Sequence, residues 1–267
     1  MDRKKLVEIK KECGKETLTL HKNADLPHIG SSLSCLSILV YLYFERAKGE
    51  DKVILSKGHA APAWYTVLAK AGKFREEELN KFCGDGSLLA GHPPCGGKLN
   101  GVIFGTGSLG HGLSLSAGLA FSTKYTGKRF NVYCVLSDGD CDEGSTWEAI
   151  MFAAQHKLSN LVVIIDRNGL QGFGVSKDIV DMEPMRKKWE AFNFEVFECE
   201  NGNDFESLDA AFKAVEASKS DKPKCIIAKT TKGSGVSFME NKFEWHYLKL
   251  TDEQYQQAIK EARDWNA

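Results

Sequence analysis

Residues 136–174 read LSDGDCDEGSTWEAIMFAAQHKLSNLVVIIDRNGLQGFG. One apolar run, NVYCVLS (131–137), ends at Asp138-Gly139, and a second, NLVVIID (160–166), leads into Asn168-Gly169. Runs of continuous β-branched and apolar residues suit strands of a parallel sheet covered on both faces. The intervening GSTWEAIMFAAQHKL reads as a short helix with a serine cap. In such a sheet, ligands bind beyond the carboxyl ends of the strands. If the two strands are neighbours, the Asp138 carboxylate and the Asn168 carboxamide converge on one crevice. These oxygens, with a nearby backbone carbonyl, suit Mg2+ or Ca2+, and a set of about three protein oxygens normally shares Mg2+ with bound phosphates. Gly139 and Gly169 permit tight turns and close approach of a ligand. Asp-Gly and Asn-Gly are also ordinary turn dipeptides, so on their own they leave a plain turn reading open.

Outward from this stretch, KVILS (52–56), FEVFECE (194–200) and KCIIAKT (224–230) read as further strands. DFESLDAAFKAVEASKS places Phe205, Leu208, Phe212 and Val215 on one helical stripe. SLSLSAGLAFSTKYTG reads as a helix opening near Leu113, and TDEQYQQAIKEARDW as a helix capped by Thr251 with Glu253 close behind. The first fifty residues read as mostly helical, interrupted at Pro27 and Gly30. Strand and helix alternate, which predicts an α/β fold: a doubly wound, mainly parallel sheet with helices on both faces, formed by one domain spanning residues 1–267.

The 267 residues carry a formal net charge of -1 and are 42% hydrophobic, enough for a sizeable core. The near-zero charge leaves no electrostatic footprint for nucleic acid or an anionic membrane. No apolar run approaches the roughly 18 residues of a membrane span, and the basic N-terminus lacks the apolar segment of a signal peptide. The 8 cysteines form no C-x-x-C and several sit inside apolar runs, which reads as reduced thiols in a cytoplasmic protein. GTGSLG satisfies G-x-G-x-x-G through Gly105, Gly107 and Gly110. No acidic strand end follows about 20 residues on, as a dinucleotide fold needs. A glycine-rich turn that opens a helix still offers N–H groups and a positive dipole end to a phosphate.

An Asp-Gly, thirty positions and then an Asn, each at a strand end, resembles the thiamine-diphosphate motif. Taken with the helix between them, it is similar specifically to that of transketolases. Ser137 stands where that motif usually has its first glycine. Other segments resemble the family in the same order: DLPHIGSSLSCLSIL with His28, ILSKGHAAPAWY with His59, LLAGHPP with His92, GTGSLGHGLSLSAGLAF with Gly107, Ser108 and Leu109, and EWHYLKL with His246. Tyr247 replaces the family's usual glycine after that last histidine.

The resemblance implies thiamine diphosphate as cofactor, with Mg2+ (or Ca2+) held by Asp138, Asn168 and the Leu170 carbonyl. Gly107, Ser108, Leu109 and Gly139 would line the cofactor, His59 and His246 would lie by its diphosphate, and His28, His92 and His246 would serve catalysis. Glu143 matches an acidic residue at a subunit contact. The implied reaction moves a two-carbon ketol unit between sugars or sugar phosphates. The chain's length resembles the N-terminal subunit of a transketolase split into two polypeptides. That implies a C-terminal transketolase-type partner carrying the pyrimidine-binding domain, self-association to a dimer, and a heterotetramer. Two other readings remain: the α subunit of a 2-oxo-acid dehydrogenase, and a non-catalytic protein of the thiamine-diphosphate fold.

Overall fold

The computed structural model describes residues 1–95 and 97–265. The last two residues of the expected 1–267 domain, and Gly96 within it, lie outside the described residues. In chain order the elements are α1 (Arg3–Asn23), α2 (Ile29–Tyr41), β1 (Lys52–Leu55), α3 (Ala61–Lys70), α4 (His111–Thr126), β2 (Val132–Ser137), α5 (Gly144–Gln155) and β3 (Leu161–Arg167). They continue with β4 (Leu170–Gln171), β5 (Gly174–Val175), α6 (Ser176–Ile179), α7 (Met185–Ala191), β6 (Glu195–Cys199), α8 (Phe205–Ala217), β7 (Lys224–Lys229) and α9 (Asp252–Ala262).

All five expected strands form one parallel sheet in the order β1-β2-β3-β7-β6. β2 and β3 are adjacent, with Ser137 opposite Asp166, so the loops carrying Asp138 and Asn168 leave the same edge of the sheet side by side. β4 and β5 form a small antiparallel hairpin directly after β3.

Successive strand side chains point to opposite faces, and two cores follow. Val132, Cys134 and Leu136 pack with Leu113 and Ala117 of α4, Ile150 of α5 and Trp189 of α7. Tyr133 and Val135 pack on the other side with Leu36 and Leu39 of α2 and with Phe205 and Phe212 of α8. The stripe read in α8 is buried at all four positions.

Two local expectations are corrected. Gly30 does not interrupt a helix but lies in the first turn of α2, whose residues are all buried. A Cβ there would sit 3.2 Å from both Lys232 and Trp245, so its smallness serves packing. The break falls at His28, which takes the left-handed conformation (φ 71°) ahead of α2. In α5 the N-cap is Glu143, without a side-chain cap, and the Ser145 hydroxyl instead donates to the Gly110 carbonyl at 3.1 Å. Thr251 caps α9 as read, and Gln254 completes a capping box with it.

A buried ion pair ties the layers at the edge where the loops emerge. Asp166, at the end of β3, accepts from Lys57 just after β1, and their side chains are 0% and 1% exposed. The Ser34 hydroxyl of α2 donates to the same carboxylate at 2.6 Å, and the Thr230 hydroxyl beyond β7 to its other oxygen. Removing one partner of such a pair strands a charge in the core, which costs about 3–5 kcal/mol. Asp166→Ala is therefore expected to lose about 3–5 kcal/mol of stability in urea unfolding; a loss below about 1 kcal/mol would contradict this role for the pair.

Candidate active site

At the carboxyl ends of the strands lies a cavity of about 270 Å³. Four imidazoles from four separate loops meet there: His28 before α2, His59 after β1, His92 in the loop before α4, and His246 in the turn before α9. Ring centroids of His28 lie 5.4 Å from His59, 6.5 Å from His92 and 4.6 Å from His246, and His59 and His246 are 5.3 Å apart. A larger cavity of about 500 Å³ opens between α1 and α3, but it contains none of these residues.

The cluster is neutral by construction. Burial pulls His59 well below the ordinary imidazole value, and Lys57, His246 and His28 push the same way. Burial and the nearby Lys232 take His246 down to about 3. Burial and His92 lower His28, and burial lowers His92. Lys232 Nζ lies 3.1 Å from His246 Nδ1, which fits a lysine donor on a neutral ring nitrogen. Burial and the charge of Lys57 bring Lys232 down to about 8. His28 Nδ1 is buried with no hydrogen-bond partner among the described residues.

Opposite the imidazoles stand the two strand-end loops. Asp138 is buried, and its Oδ2 accepts from the Asn168 and Gly169 amides at 3.1 and 3.0 Å. Asn168 Oδ1 in turn accepts from the Leu170 amide at 3.1 Å. Burial and repulsion from Asp166 raise the Asp138 carboxyl to about 7, against the opposing pull of the two amides. Asn168, Leu170 and Gly139 line the cavity. The glycine-rich loop supplies a third wall through Gly107 and Leu109. Its α4 helix opens at His111, two residues earlier than the sequence suggests. Gly107 has φ 148°, and a Cβ there would meet the His92 ring at 2.8 Å; a Cβ on Gly58 would meet the Thr106 carbonyl oxygen at 2.4 Å. Only glycine lets the loops from β1 and from the α4 approach close on each other.

Three residues singled out from sequence do not line this cavity. Asp138 borders the adjoining pocket with Asp142, Arg167 and Gly169 instead. Ser108 is exposed on the outer side of the glycine-rich loop. Glu143 is exposed at the start of α5, beside Gly110. Sequence reading missed Lys57, Lys232 and Gln171, which line the cavity, and Asp140 and Asp166, which support it. A signal for two of them was present: Asp166 closes a continuously apolar strand, and Lys57 sits inside the segment quoted for His59. Tyr247 also lines the cavity, its ring 5.0 Å from that of His246.

The family described as "Transketolase, thiamine diphosphate binding domain" matches residues 43–267. An apulose-4-phosphate transketolase subunit from Actinobacillus succinogenes is 41% identical over 254 residues, covering 91% of this chain and 91% of that protein. A 6-deoxy-6-sulfo-D-fructose transketolase subunit from a Clostridium species is 36% identical over 244 residues, covering 88% of this chain and 87% of that protein. The solved transketolase from Leishmania mexicana superposes with a TM-score of 0.88 at 25% identity; the match covers 97% of this chain but only 41% of that longer one. The chain belongs to the transketolase family and corresponds to its thiamine-diphosphate-binding part. These two relatives of similar length are named as transketolase subunits.

The lowered imidazoles set a pH dependence. Where the folded chain binds fewer protons than the unfolded one, stability rises with pH. For His246 that window runs from about 3 up to the ordinary value of 6.5, so its contribution is complete above 6.5 and is lost as pH falls toward 3. Histidine ¹⁵N NMR at pH 5.5 should show the His246 ring neutral, and stability should decline on acidification from pH 7. Protonation of His246 near 6.5 would contradict the site as described.

Proposed function

We propose that this chain is the diphosphate-binding subunit of a two-chain transketolase, holding thiamine diphosphate through a divalent metal and completing its active site with a second polypeptide. On this reading residues 1–267 act as one diphosphate-binding domain. The observation that carries it is that Asn168 and Leu170 share one cavity with four neutral imidazoles, with the Asp138 carboxylate held directly behind them on the Asn168 and Gly169 amides. The partner reading draws on the subunit names of the two relatives of similar length.

The donor set suits Mg2+, with Ca2+ as the other hard cation it would accept. Asp138 is a buried carboxylate whose proton affinity is raised by burial, and a bound cation would replace that proton. Asn168 Oδ1 and the Leu170 carbonyl add two hard oxygens, leaving further positions for water and diphosphate oxygens. Thiamine diphosphate supplies, when bound, the electron sink for breaking and forming a carbon–carbon bond beside a carbonyl.

The chain's own residues bind, orient and move protons. His59, beside Lys57, and His246, beside Lys232, are neutral donors for diphosphate oxygens and nearby hydroxyls. His92, the exposed one of the four rings, and His28 are suited to hydrogen-bond a sugar, and the free His28 Nδ1 is available to accept or pass a proton. Lys232, lowered to about 8, adds a buried donor beside His246. The walls exclude water and hold these groups at fixed distances, so their dipoles need little reorganisation.

Exposed apolar side chains border the cavity at Phe173 (85% exposed) and Tyr247 (53%), with Leu248 (48%) next in the chain. They offer a surface for the partner subunit, and pairing of two such assemblies gives the dimer and heterotetramer. The eight cysteines are all free, which suits a reducing, cytoplasmic compartment. Among the described residues no helix is long and apolar enough to cross a membrane. The substrates are sugars or sugar phosphates.

The chain alone is expected to show essentially no ketol transfer, and mixing with a C-terminal transketolase-type subunit should restore it, in a coupled assay with hydroxypyruvate as donor. Robust turnover by the purified chain alone would overturn the two-chain reading. Asp138→Ala should abolish the magnesium dependence of thiamine diphosphate binding by calorimetry, and undiminished affinity in that variant would remove Asp138 from the metal site. Alanine at His28 or His92 should lower turnover while leaving cofactor affinity within about threefold, because neither ring is placed against the diphosphate.

A further inference from the structure

Asp140 is fully buried two residues beyond Asp138, where the three loops that frame the cavity meet. Its Oδ1 accepts from the Ser56 hydroxyl at 2.5 Å and the Gly110 amide at 2.8 Å. Its Oδ2 accepts from both the amide and the hydroxyl of Ser137, each at 2.8 Å. Its own amide returns to the Ser137 hydroxyl at 3.3 Å, and its carbonyl accepts from Thr146 of α5. All four groups that meet the carboxylate are donors. An amide in its place would turn an NH2 toward two of them and leave buried donors unpaired.

Asp140 does not line the cavity, yet each of its partners adjoins a residue that belongs to the site. Ser56 precedes Lys57, Gly110 follows Leu109, and Ser137 precedes Asp138. One carboxylate thus fixes the ends of β1 and β2 and the start of α4 relative to one another. Ser137 stands at the position where the resembled motif has glycine, and its hydroxyl fills the turn that Asp140 closes.

We infer that Asp140 is a positioning residue: with Ser137 it sets the spacing between the glycine-rich loop at 107–110 and the loop that carries Asp138, and so the fit of the cofactor's diphosphate and metal. This rests on the thiamine diphosphate reading of those two loops.

The test is calorimetric titration of thiamine diphosphate, with excess magnesium chloride, into the chain assembled with its partner, paired with amide hydrogen exchange on the same samples. Asp140→Asn should weaken the cofactor about 10–100-fold, the range for residues that hold metal ligands from behind. Exchange should accelerate at the Gly110 and Ser137 amides while β3 stays protected. Ser56→Ala, which removes one donor and leaves the carboxylate in place, should weaken binding by about 3–10-fold, and it keeps the test available if Asp140→Asn does not fold. The double variant Ser137→Gly with Asp140→Asn should lose little beyond the single Asp140→Asn, because the pair acts as one unit. Wild-type cofactor affinity in Asp140→Asn or in Ser56→Ala would overturn the inference, as would exchange that rises equally throughout the sheet. A wild-type assembly that binds thiamine diphosphate but transfers no ketol unit would contradict the two-chain function and leave the Asp140 comparison intact.

Discussion

Three buried carboxylates, Asp138, Asp140 and Asp166, stand together at the carboxyl edge of two adjacent parallel strands. Burying charge is costly unless every lone pair finds a partner, and each carboxylate finds a different one. Asp166 takes the Lys57 ammonium and two hydroxyls. Asp140 takes four donors from the surrounding loops. Asp138 has two backbone amides on a single oxygen, and burial holds its carboxyl near 7. It is the least compensated of the three and the one bonded to the loop that carries Asn168. The loops around it are arranged by the first two, so the shape of the site follows from how the neighbouring charges are satisfied.

The opposite wall obeys the same electrostatics with the sign reversed. Burial first, and then the charges of Lys57 and Lys232 close by, keep the His59 and His246 rings neutral. A neutral imidazole presents one donor and one acceptor and is able to pass a proton, where an imidazolium only donates. Four rings from four loops share one cavity because glycines at 58 and 107 let the loop backbones come into contact. Lys57 stays committed to Asp166, while Lys232 lines the cavity beside His246.

Much of this was legible in the sequence. All five strands were legible, three of them as continuous apolar runs, since strands covered on both faces have no polar side to show, whereas β6 carries glutamates along its length. The Asp138 and Asn168 pair was legible because glycine follows each and a strand precedes each. What escaped reading depends on contacts distant in the chain. Asp166 looks like the last residue of a strand until Lys57, 109 positions away, is brought against it. Asp140 looks like one acid among several in DGDCDEG, and only the fold brings Ser56 and Gly110 to it. Gly30 and Ser145 were misread for the same reason: a glycine near a helix start and a serine before an apolar stripe carry local meanings that tertiary packing overrode.

The central claim is that the crevice between Asp138 and Asn168 binds a divalent metal together with a diphosphate. Electron–nuclear double resonance on the assembled enzyme, with Mn2+ in place of Mg2+ and thiamine diphosphate added, reads that arrangement directly. The account expects ³¹P hyperfine couplings from phosphate oxygens bound to the manganese, lost in Asp138→Ala. A manganese signal without phosphorus coupling in the presence of saturating thiamine diphosphate would contradict it.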